Sequence, residues 1–384
     1  MRTLVQPGNA HRRLAVAGIL GIGVAFGFAR YGYGLFLPQI REAFGLSLSW
    51  IGAIASASYA GYLAALVLVG VLVGRLGPRI PVVIGGLSAA VGMGLVAMAQ
   101  EAITLTVGLV LAGTSAGWVW APYSDAADRM LTPRRRQTVL ALLPTGTAFA
   151  TVVAGVLALL VSDGPWRWVW VLFALTGLGA AAYNAWVLPG GAGRGGAGVQ
   201  GIGGARWLMT RAAVPLYVTA WSYGLVGSVY WAFAVDAVSG GSGGDSAAGA
   251  LFWTLMGGAG VVAVFTGGLI TKLGVRGAHT LLFCGFAMAV ALLGVLPGLT
   301  VAVVVSAVIY GAVFMAISGL LAVWSLQVFP ERPSAGFSAV VFSLGLGTVV
   351  GPAVLGALAD HAGLGAAFLS AAGIAVVTLA ARPA

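Results

Sequence analysis

The stretch GVLVGRLGPR, residues 70–79, recurs as GGLITKLGVR at residues 267–276. Both copies fit the pattern Gly-x-Leu-x-x-(Arg/Lys)-x-Gly-x-Arg, and their first glycines are 197 positions apart. Other residues repeat in the same register, and these anchor pairs are Gly27/Gly224, Tyr33/Tyr230, Pro133/Pro330, Arg135/Arg332 and Asp163/Asp360. Because one register is kept across so long a stretch, the pattern indicates an internal duplication rather than a chance match of common glycines.

The composition indicates that most of the chain lies in lipid. Of the 384 residues, 60% are hydrophobic and 7% are charged, with a mean hydropathy of +1.02, whereas soluble proteins carry about 25% charged residues. This excludes a soluble enzyme, a nucleic-acid-binding protein and a disordered chain; the net charge of +10 comes from basic residues scattered between apolar segments. Cys284 is the single cysteine, which excludes disulfides and cysteine metal sites, and we expect it to be a small core residue.

A helix needs about 20 apolar residues to cross a bilayer, and twelve segments of the chain meet this length. The predicted spans are 14–37, 47–73, 80–99, 104–123, 137–161, 168–188, 212–235, 249–271, 277–296, 299–328, 334–358 and 364–381. A glycine-rich stretch, 189–211, predicts a flexible cytoplasmic linker. The sequence therefore predicts an all-α membrane protein with an N-terminal six-helix bundle (1–188) and a parallel, pseudo-symmetric C-terminal one (212–384).

The charges in the predicted loops indicate an orientation. If the N-terminus is cytoplasmic, the loops on that side hold most of the Lys and Arg residues, and the outer loops hold only Arg41 and Arg167. This distribution follows the positive-inside rule. We therefore expect a multi-pass protein of the cytoplasmic (inner) membrane with both termini in the cytoplasm.

Two six-helix halves, a central linker and the repeated loop motif resemble the major facilitator superfamily over essentially the whole chain. Trp166-Arg167-Trp168 and Gly351-Pro352 are similar to features of that family. The stretch GFARYGYGLFLPQIREAFGLSLSWIGAIASASYAGYL, residues 27–63, resembles its YbfB-like branch. The resemblance implies secondary transport by alternating access, with spans one, four, seven and ten lining a central cavity.

The resemblance also implies a gating role for the repeated loop motif. Its residues are Gly70, Arg75, Gly77, Arg79, Lys272, Gly274 and Arg276. The family usually has an acidic residue where this chain has Gly74 and Thr271, so the charge relay of the loop is incomplete. The ion pairs that we expect instead are Arg75 with Asp125 or Asp128, and Lys272 or Arg276 with Glu331.

Arg30 is the one charged residue placed well inside a predicted span. A charge at the bilayer centre costs about 2.5–3.5 kcal/mol on insertion scales, so a partner, snorkelling or a function must account for it. Its counterpart in the repeat is Gly227, which makes Arg30 an asymmetric addition to a symmetric scaffold. We favour a residue that binds an anion in the cavity, since guanidinium offers a planar fork to a carboxylate; the alternative is a structural arginine.

Aromatic residues within the spans are further candidates for the substrate site. They are Tyr33, Tyr59, Trp118, Tyr223, Tyr230, Trp253 and Tyr310. At α-helical spacing, Phe26, Arg30 and Tyr33 share one side of span one, which makes Tyr33 the nearest polar neighbour of Arg30. For each aromatic residue the alternative is helix packing or a place at the bilayer interface. Together with Arg30 they favour a small organic anion with an apolar or aromatic body.

The residues that could couple transport to protons are few. His11, His279 and His361 lie in or beside predicted loops, and no predicted span has an acidic residue near its middle. Asp236, at the outer end of span seven, is the coupling candidate because proton relays need a titratable group in the pathway. Uniport, exchange and proton coupling through Asp236 stay open.

The sequence thus predicts a secondary transporter that moves a small organic anion of the carboxylate type. We expect no enzyme activity, cofactor or metal, since zinc spacing, a nucleophile elbow and a Walker sequence are missing from the sequence. The expected partners are a small-molecule substrate, the lipid bilayer and, under coupling, protons, with the protein a monomer that binds no nucleic acid. The alternative function is an exporter of hydrophobic or cationic drugs in which Arg30 is structural.

Overall fold

The computed structural model describes residues 10–161, 164–191 and 207–383, without the side chains of residues 137, 333 and 334, and every long element in this part of the chain is helical. Most of the predicted linker and the anchor Asp163 lie outside these residues. The helices are α1 (Ala10–Ile22), a π-helix (Gly23–Arg30), α2 (Gly32–Leu35), α3 (Leu37–Phe44), α4 (Leu48–Leu76), α5 (Arg79–Met98), α6 (Ala102–Met130), α7 (Pro133–Leu142), α8 (Thr145–Leu160), α9 (Arg167–Val187), α10 (Ala213–Gly241), α11 (Ser246–Ala259), a 3₁₀ segment (Gly260–Phe265), α12 (Thr266–Val295), α13 (Thr300–Val328) and α14 (Pro333–Thr378). The all-α prediction is confirmed.

Nine helical segments of the described chain are long and apolar enough to cross a membrane. Two of them, Ser246–Val295 and Ala335–Thr378, contain 50 and 44 residues, about twice the length that one span requires. Each contains a kink at a glycine, Gly274 in the first and Gly363 in the second. The kinks lie where the sequence predicts spans eight and eleven to end. The count of twelve spans stays a prediction.

The glycine that ends the repeated loop motif has the same backbone conformation in both copies. Gly77 follows α4 with φ +71°, and Gly274 lies at the kink of α12 with φ +68°. This left-handed region is costly for residues with a Cβ atom. The motif therefore retains glycine at these two positions because each chain turn between consecutive spans requires it.

The described helices form two compact units by their backbone contacts. Unit 1 comprises Met1–Gly32, Gly61–Thr151 and Pro165–Gln200. Within it α5 packs on α6 and α9, and α1 packs on α6 and α9. The backbones of α5 and α6 approach closely because Gly92 and Gly108 lie at their crossing, as small residues do between membrane helices. Buried Tyr123 and Asn184 both hydrogen-bond to the Ala17 carbonyl and so join α6 and α9 to α1.

Unit 2 comprises Tyr33–Ala60, Val152–Gly164 and Gly201–Ala384. Within it α10 packs on α14, α12 packs on α13 and α14, and α11 packs on α13. The short helix α3 packs on α10. These units are defined by contacts and the predicted six-span halves by the sequence repeat, so the boundaries at 188 and 212 stay a prediction.

Candidate functional site

Arg30 is the last residue of the π-helix Gly23–Arg30. A π-turn closes with a hydrogen bond over five residues and is wider than an α-turn, and such segments are frequent at functional sites. Here the backbone N–H of Tyr31 donates to the carbonyl of Phe26, at 3.1 Å. The α-helical spacing assumed for span one is therefore wrong between Gly23 and Arg30, and a turn at Tyr31 separates Arg30 from the helix that carries Tyr33.

The π-helix packs against the first turns of α8. A Cβ atom on Gly27 would overlap that of Ala150, and one on Gly23 would lie 2.9 Å from the carbonyl oxygen of Gly146. The two glycines thus allow contact between backbones that side chains would keep apart. This contact positions the segment that carries Arg30 within unit 1.

The guanidinium of Arg30, a residue that is only 6% exposed, lies close to the aromatic rings of Phe26, Tyr31 and Tyr62. Its Cζ atom lies 4.0 Å from the ring centroid of Tyr62, 5.5 Å from that of Phe26 and 5.7 Å from that of Tyr31. A cation over an aromatic face is attracted by the ring quadrupole, by about 2 kcal/mol or more where water is excluded. We call Phe26, Tyr31 and Tyr62 the Arg30 cage. It provides an environment in which a buried guanidinium keeps its charge.

The structure brings together only part of the predicted stripe on span one. Phe26 lies beside Arg30 as expected, but Tyr33 donates its hydroxyl proton to the Ile51 carbonyl at 3.0 Å. Tyr33 and Tyr59 are buried residues of unit 2. The cage residue that the sequence reading missed is Tyr62, which follows Tyr59 by three positions in α4 and so lies near the same helix face.

On α6, the structure gives different surroundings to the two nearby tryptophans. The Cβ atom of Trp118 packs against Gly85 of α5, whereas the ring of Trp120 lies 6.3 Å from that of Phe26 in an edge-on arrangement. The ring of Trp120 is therefore a further aromatic neighbour of the Arg30 cage. The Cβ atom of Trp118 lies instead against α5. Trp118 is among the candidates predicted from the sequence, and Trp120 is not.

The aromatic candidates on α10, α11 and α13 form one buried cluster. The rings of Tyr230 and Tyr310 are stacked at 3.5 Å, and Trp253 meets Trp231 edge-on at 5.1 Å. The hydroxyl groups bond within the protein: Tyr230 with Ser306 at 2.7 Å, Tyr310 with the Gly227 carbonyl at 3.0 Å, and Tyr223 with the Phe314 carbonyl at 2.9 Å. Rings stacked so closely leave no space for a ligand between them. These contacts support the packing alternative for Tyr230 and Tyr310.

The ion pairs expected around the repeated loop motif are wrong. Asp125 pairs with Arg129 and Asp128 with Arg136, each at 2.7 Å. The first pair is one helical turn apart, a spacing that brings side chains together on any helix, so each carboxylate has an arginine close in sequence as its ion-pair partner. Arg79 of the motif instead donates to the Leu188 carbonyl at 2.6 Å. No ion pair joins Arg75, Lys272, Arg276 or Glu331 to the expected partners within the described chain, and Gly70 faces open space.

Two carboxylates of unit 2 make contacts with the segment 33–60. Asp236, at the end of α10, forms an ion pair with Arg41 of α3 at 2.5 Å. Asp360 of α14 accepts hydrogen bonds from the backbone N–H groups of Leu48 and Ser49, both at 2.8 Å. The sequence identified Asp236 as a coupling candidate and Asp360 as a repeat anchor, but it did not indicate either partner.

Two further expectations require correction. His279 is fully buried within α12, stacked on Phe283 at 4.9 Å and 3.4 Å from the Thr219 hydroxyl, rather than beside a loop. Cys284 is exposed rather than in the core. Residues on opposite faces of a helix differ in burial. Because His279 and Cys284 lie in a stretch that is apolar on all sides, the sequence does not indicate which helix face is buried. Among the residues that the structure describes, no three His, Cys, Asp or Glu side chains lie close enough together to bind a metal ion.

Solved structures similar to this chain are membrane transporters. A bacterial homologue of the human lysosomal transporter Spinster, in an inward-facing and unoccupied conformation, has a TM-score of 0.75 at 15% identity and covers 97% of this chain and 96% of its own. The nucleoside transporter NupG has a TM-score of 0.76 at 14% identity, over 97% and 98%. The peptide transporter POT in complex with sulfate has a TM-score of 0.75 at 15% identity, over 98% and 96%. At these identities the likeness shows the fold alone.

The sequence comparison with families is more specific. No curated protein matches the chain. One family, described as "Uncharacterised MFS-type transporter YbfB", matches residues 22–382, which include every span predicted after the first and the Arg30 cage. The chain therefore belongs to the YbfB family of transporters within the major facilitator superfamily.

Proposed function

We propose that this transporter moves a small organic anion of the carboxylate type by alternating access, with Arg30 binding the anion in the central cavity. The observation that carries the proposal is the Arg30 cage: Arg30 is buried, and its guanidinium carbon lies 4.0 Å from the ring centroid of Tyr62. Guanidinium recognises a carboxylate through two parallel hydrogen bonds. The surrounding rings offer an apolar or aromatic body of the same ligand a surface on which to pack.

The proposal includes the orientation and the coupling that the sequence indicates. The protein lies in the cytoplasmic membrane as a monomer with both termini in the cytoplasm, in accord with the distribution of loop charges. Asp236 is the coupling candidate, and its carboxylate forms an ion pair with Arg41. Protonation of the carboxylate would remove its charge and so release Arg41. Transport coupled to protons would then use Asp236 as the proton acceptor.

A screen of ligands on purified protein tests the anion assignment. We expect small carboxylates, rather than cationic drugs, to raise the melting temperature in detergent, because a ligand bound to the folded state stabilises it. Arg30→Ala should abolish this rise. Arg13→Ala is the matched control, since Arg13 also lies over an aromatic ring, that of Trp186, at 5.0 Å. Stabilisation by carboxylates that survives in folded Arg30→Ala would contradict the assignment.

The alternative function is export of hydrophobic or cationic drugs, with Arg30 structural. The observation in its favour is that three rings of the cage already face the guanidinium, and cation–π contacts of this kind stabilise a buried arginine without an anion. Under this alternative, cationic drugs raise the melting temperature of both wild-type protein and Arg30→Ala. Cells that express the protein would also show increased resistance to such drugs.

A further inference from the structure

The start of helix α4 is held by a carboxylate from the far end of the chain. Both oxygens of Asp360, on α14, accept hydrogen bonds from the N–H groups of Leu48 and Ser49 at 2.8 Å, although the bonded residues are 312 and 311 positions apart. The first N–H groups of a helix have no partner within it, and the helix dipole favours negative charge there. Asp360 thus caps a helix of the predicted N-terminal half from the predicted C-terminal half.

A second polar contact lies at the same end of unit 2. Arg41 near the end of α3 pairs with Asp236 on α10 at 2.5 Å, and only the turn Gly45–Ser47 separates α3 from the start of α4. The Asp236 side chain is 10% exposed and that of Arg41 is 33% exposed. Both side chains are thus partly exposed, and at the predicted outer end of span seven we expect the exposed part to face water.

Close backbone contacts accompany the two polar ones. A Cβ atom on Gly34 would overlap the carbonyl of Trp231 on α10, and one on Gly52 would overlap the carbonyl of Pro352 on α14. From the other side, a Cβ atom on Gly356 would lie 2.7 Å from the carbonyl oxygen of Leu48. Small residues on both partners allow this close fit between helix backbones.

We infer that Asp360 with the α4 start, and Arg41 with Asp236, form a latch that closes the transporter at this end and must open in each transport cycle. The inference rests on the proposed alternating access, because segment 33–60 belongs to the predicted N-terminal half and α10 and α14 to the C-terminal one. In the proposed orientation the latch lies on the outer side of the membrane. Its contacts are polar, so water can replace them when the halves separate there.

The test measures the accessibility of a single cysteine under the latch. Exposed Cys284 is first replaced by Ser, and buried Ala55, which lies three residues after Gly52 on α4, is replaced by Cys. The rate of reaction with a water-soluble maleimide is then measured on purified protein in detergent, which makes the result independent of substrate and of orientation. We expect slow labelling in this background, because Ala55 is buried and lies one helical turn after Gly52, which contacts Pro352 of α14.

Opening the latch should expose the reporter. Loss of a helix cap changes an equilibrium by roughly fivefold, so we expect Asp360→Ala to accelerate labelling about fivefold, and Arg41→Ala to accelerate it as well. The exchanged pair, Arg41→Asp with Asp236→Arg, should restore slow labelling. Asp245→Ala is the matched control, since Asp245 caps only its own helix α11, through the N–H of Ala247 at 2.9 Å, and should leave the rate unchanged.

Unchanged labelling in both Asp360→Ala and Arg41→Ala, with melting temperatures that show folded protein, would overturn the latch. Equal acceleration by Asp245→Ala would overturn it too, because the effect would then be general loosening. Failure of the anion assignment has a different signature: carboxylates would not stabilise the protein, while labelling would still respond to Asp360→Ala. The two proposals therefore fail separately.

Discussion

A single charged residue inside an apolar helix needs neighbours that offset the cost of its burial. Arg30 lies among the rings of Phe26, Tyr31 and Tyr62, with Tyr62 at 4.0 Å. Quadrupolar attraction to these rings offsets part of the cost of placing the charge there. Tyr62 is therefore a positioning residue for Arg30, and its ring face rather than its hydroxyl is the group that matters.

A pair of variants at Tyr62 tests this role. Tyr62→Leu removes the ring, and we expect KM for a transported carboxylate to rise about 2- to 30-fold, the equivalent of ~0.5–2 kcal/mol of cation–π attraction. Tyr62→Phe keeps the ring face and should stay within about twofold of the wild type. Uptake kinetics in proteoliposomes provide the measurement. If Phe impaired KM as much as Leu does, the hydroxyl would be the important group instead.

The sequence identified Arg30 but only part of its surroundings. Its charge within an apolar run is visible from composition alone, and Phe26 follows from helical spacing. Tyr62 lies on another helix, and which face of α4 meets span one depends on packing that a single sequence does not specify. Tyr33 was assigned as a neighbour because α-helical spacing was continued past Arg30, whereas the chain turns at Tyr31 before α2 begins.

At the scale of the elements, glycines determine where helices approach and where they turn. The π-helix packs on α8 through Gly27, where a Cβ atom would overlap that of Ala150. We expect Gly27→Val to lower stability by about 1–3 kcal/mol, as overpacking does. Gly94→Val is the control, because Gly94 faces open space in α5. Melting temperatures in detergent would contradict the packing account if both variants lost equal stability.

The repeated loop motif makes a second prediction at this scale. Gly274→Ala forces a Cβ atom into the left-handed region at φ +68°, and we expect a loss of roughly 1–2 kcal/mol. Gly268→Ala lies in the same helix, in open space and without a positive φ, and should be neutral or slightly stabilising. Comparison of their melting temperatures checks this. A neutral Gly274→Ala would indicate that the kink does not need glycine.

Element positions were largely predictable, and the exceptions have local causes. The predicted spans 80–99 and 299–328 agree with α5 (Arg79–Met98) and α13 (Thr300–Val328) within one residue at each end. Predicted span five is interrupted between α7 and α8 at Leu143-Pro144, since proline lacks the N–H that continues a helix. Hydropathy counts apolar residues and does not register such a break.

At the scale of the whole molecule, the internal repeat predicted the family. Residues 70–79 and 267–276 are equivalent in the repeat. In the structure, their equivalent glycines have nearly the same backbone conformation, Gly77 at φ +71° and Gly274 at φ +68°. The ion pairs of that loop were not predictable, because Asp125 and Asp128 find arginines within or just after their own helix. The contacts of Asp360 with Leu48 and Ser49 were not predictable either, since they join distant parts of the chain.

We propose that Arg30 binds a transported carboxylate, and uptake by proteoliposomes measures what a change at this residue does to transport. With a carboxylate chosen for its stabilisation of the wild-type protein, we expect Arg30→Lys to reduce uptake at least about tenfold, because a lysine cannot provide the bidentate fork. The control variant is Arg13→Lys, because Arg13 is another arginine that lies over an aromatic ring. We expect it to transport as the wild type does. Wild-type rates of carboxylate uptake in folded Arg30→Lys and Arg30→Ala would contradict the account.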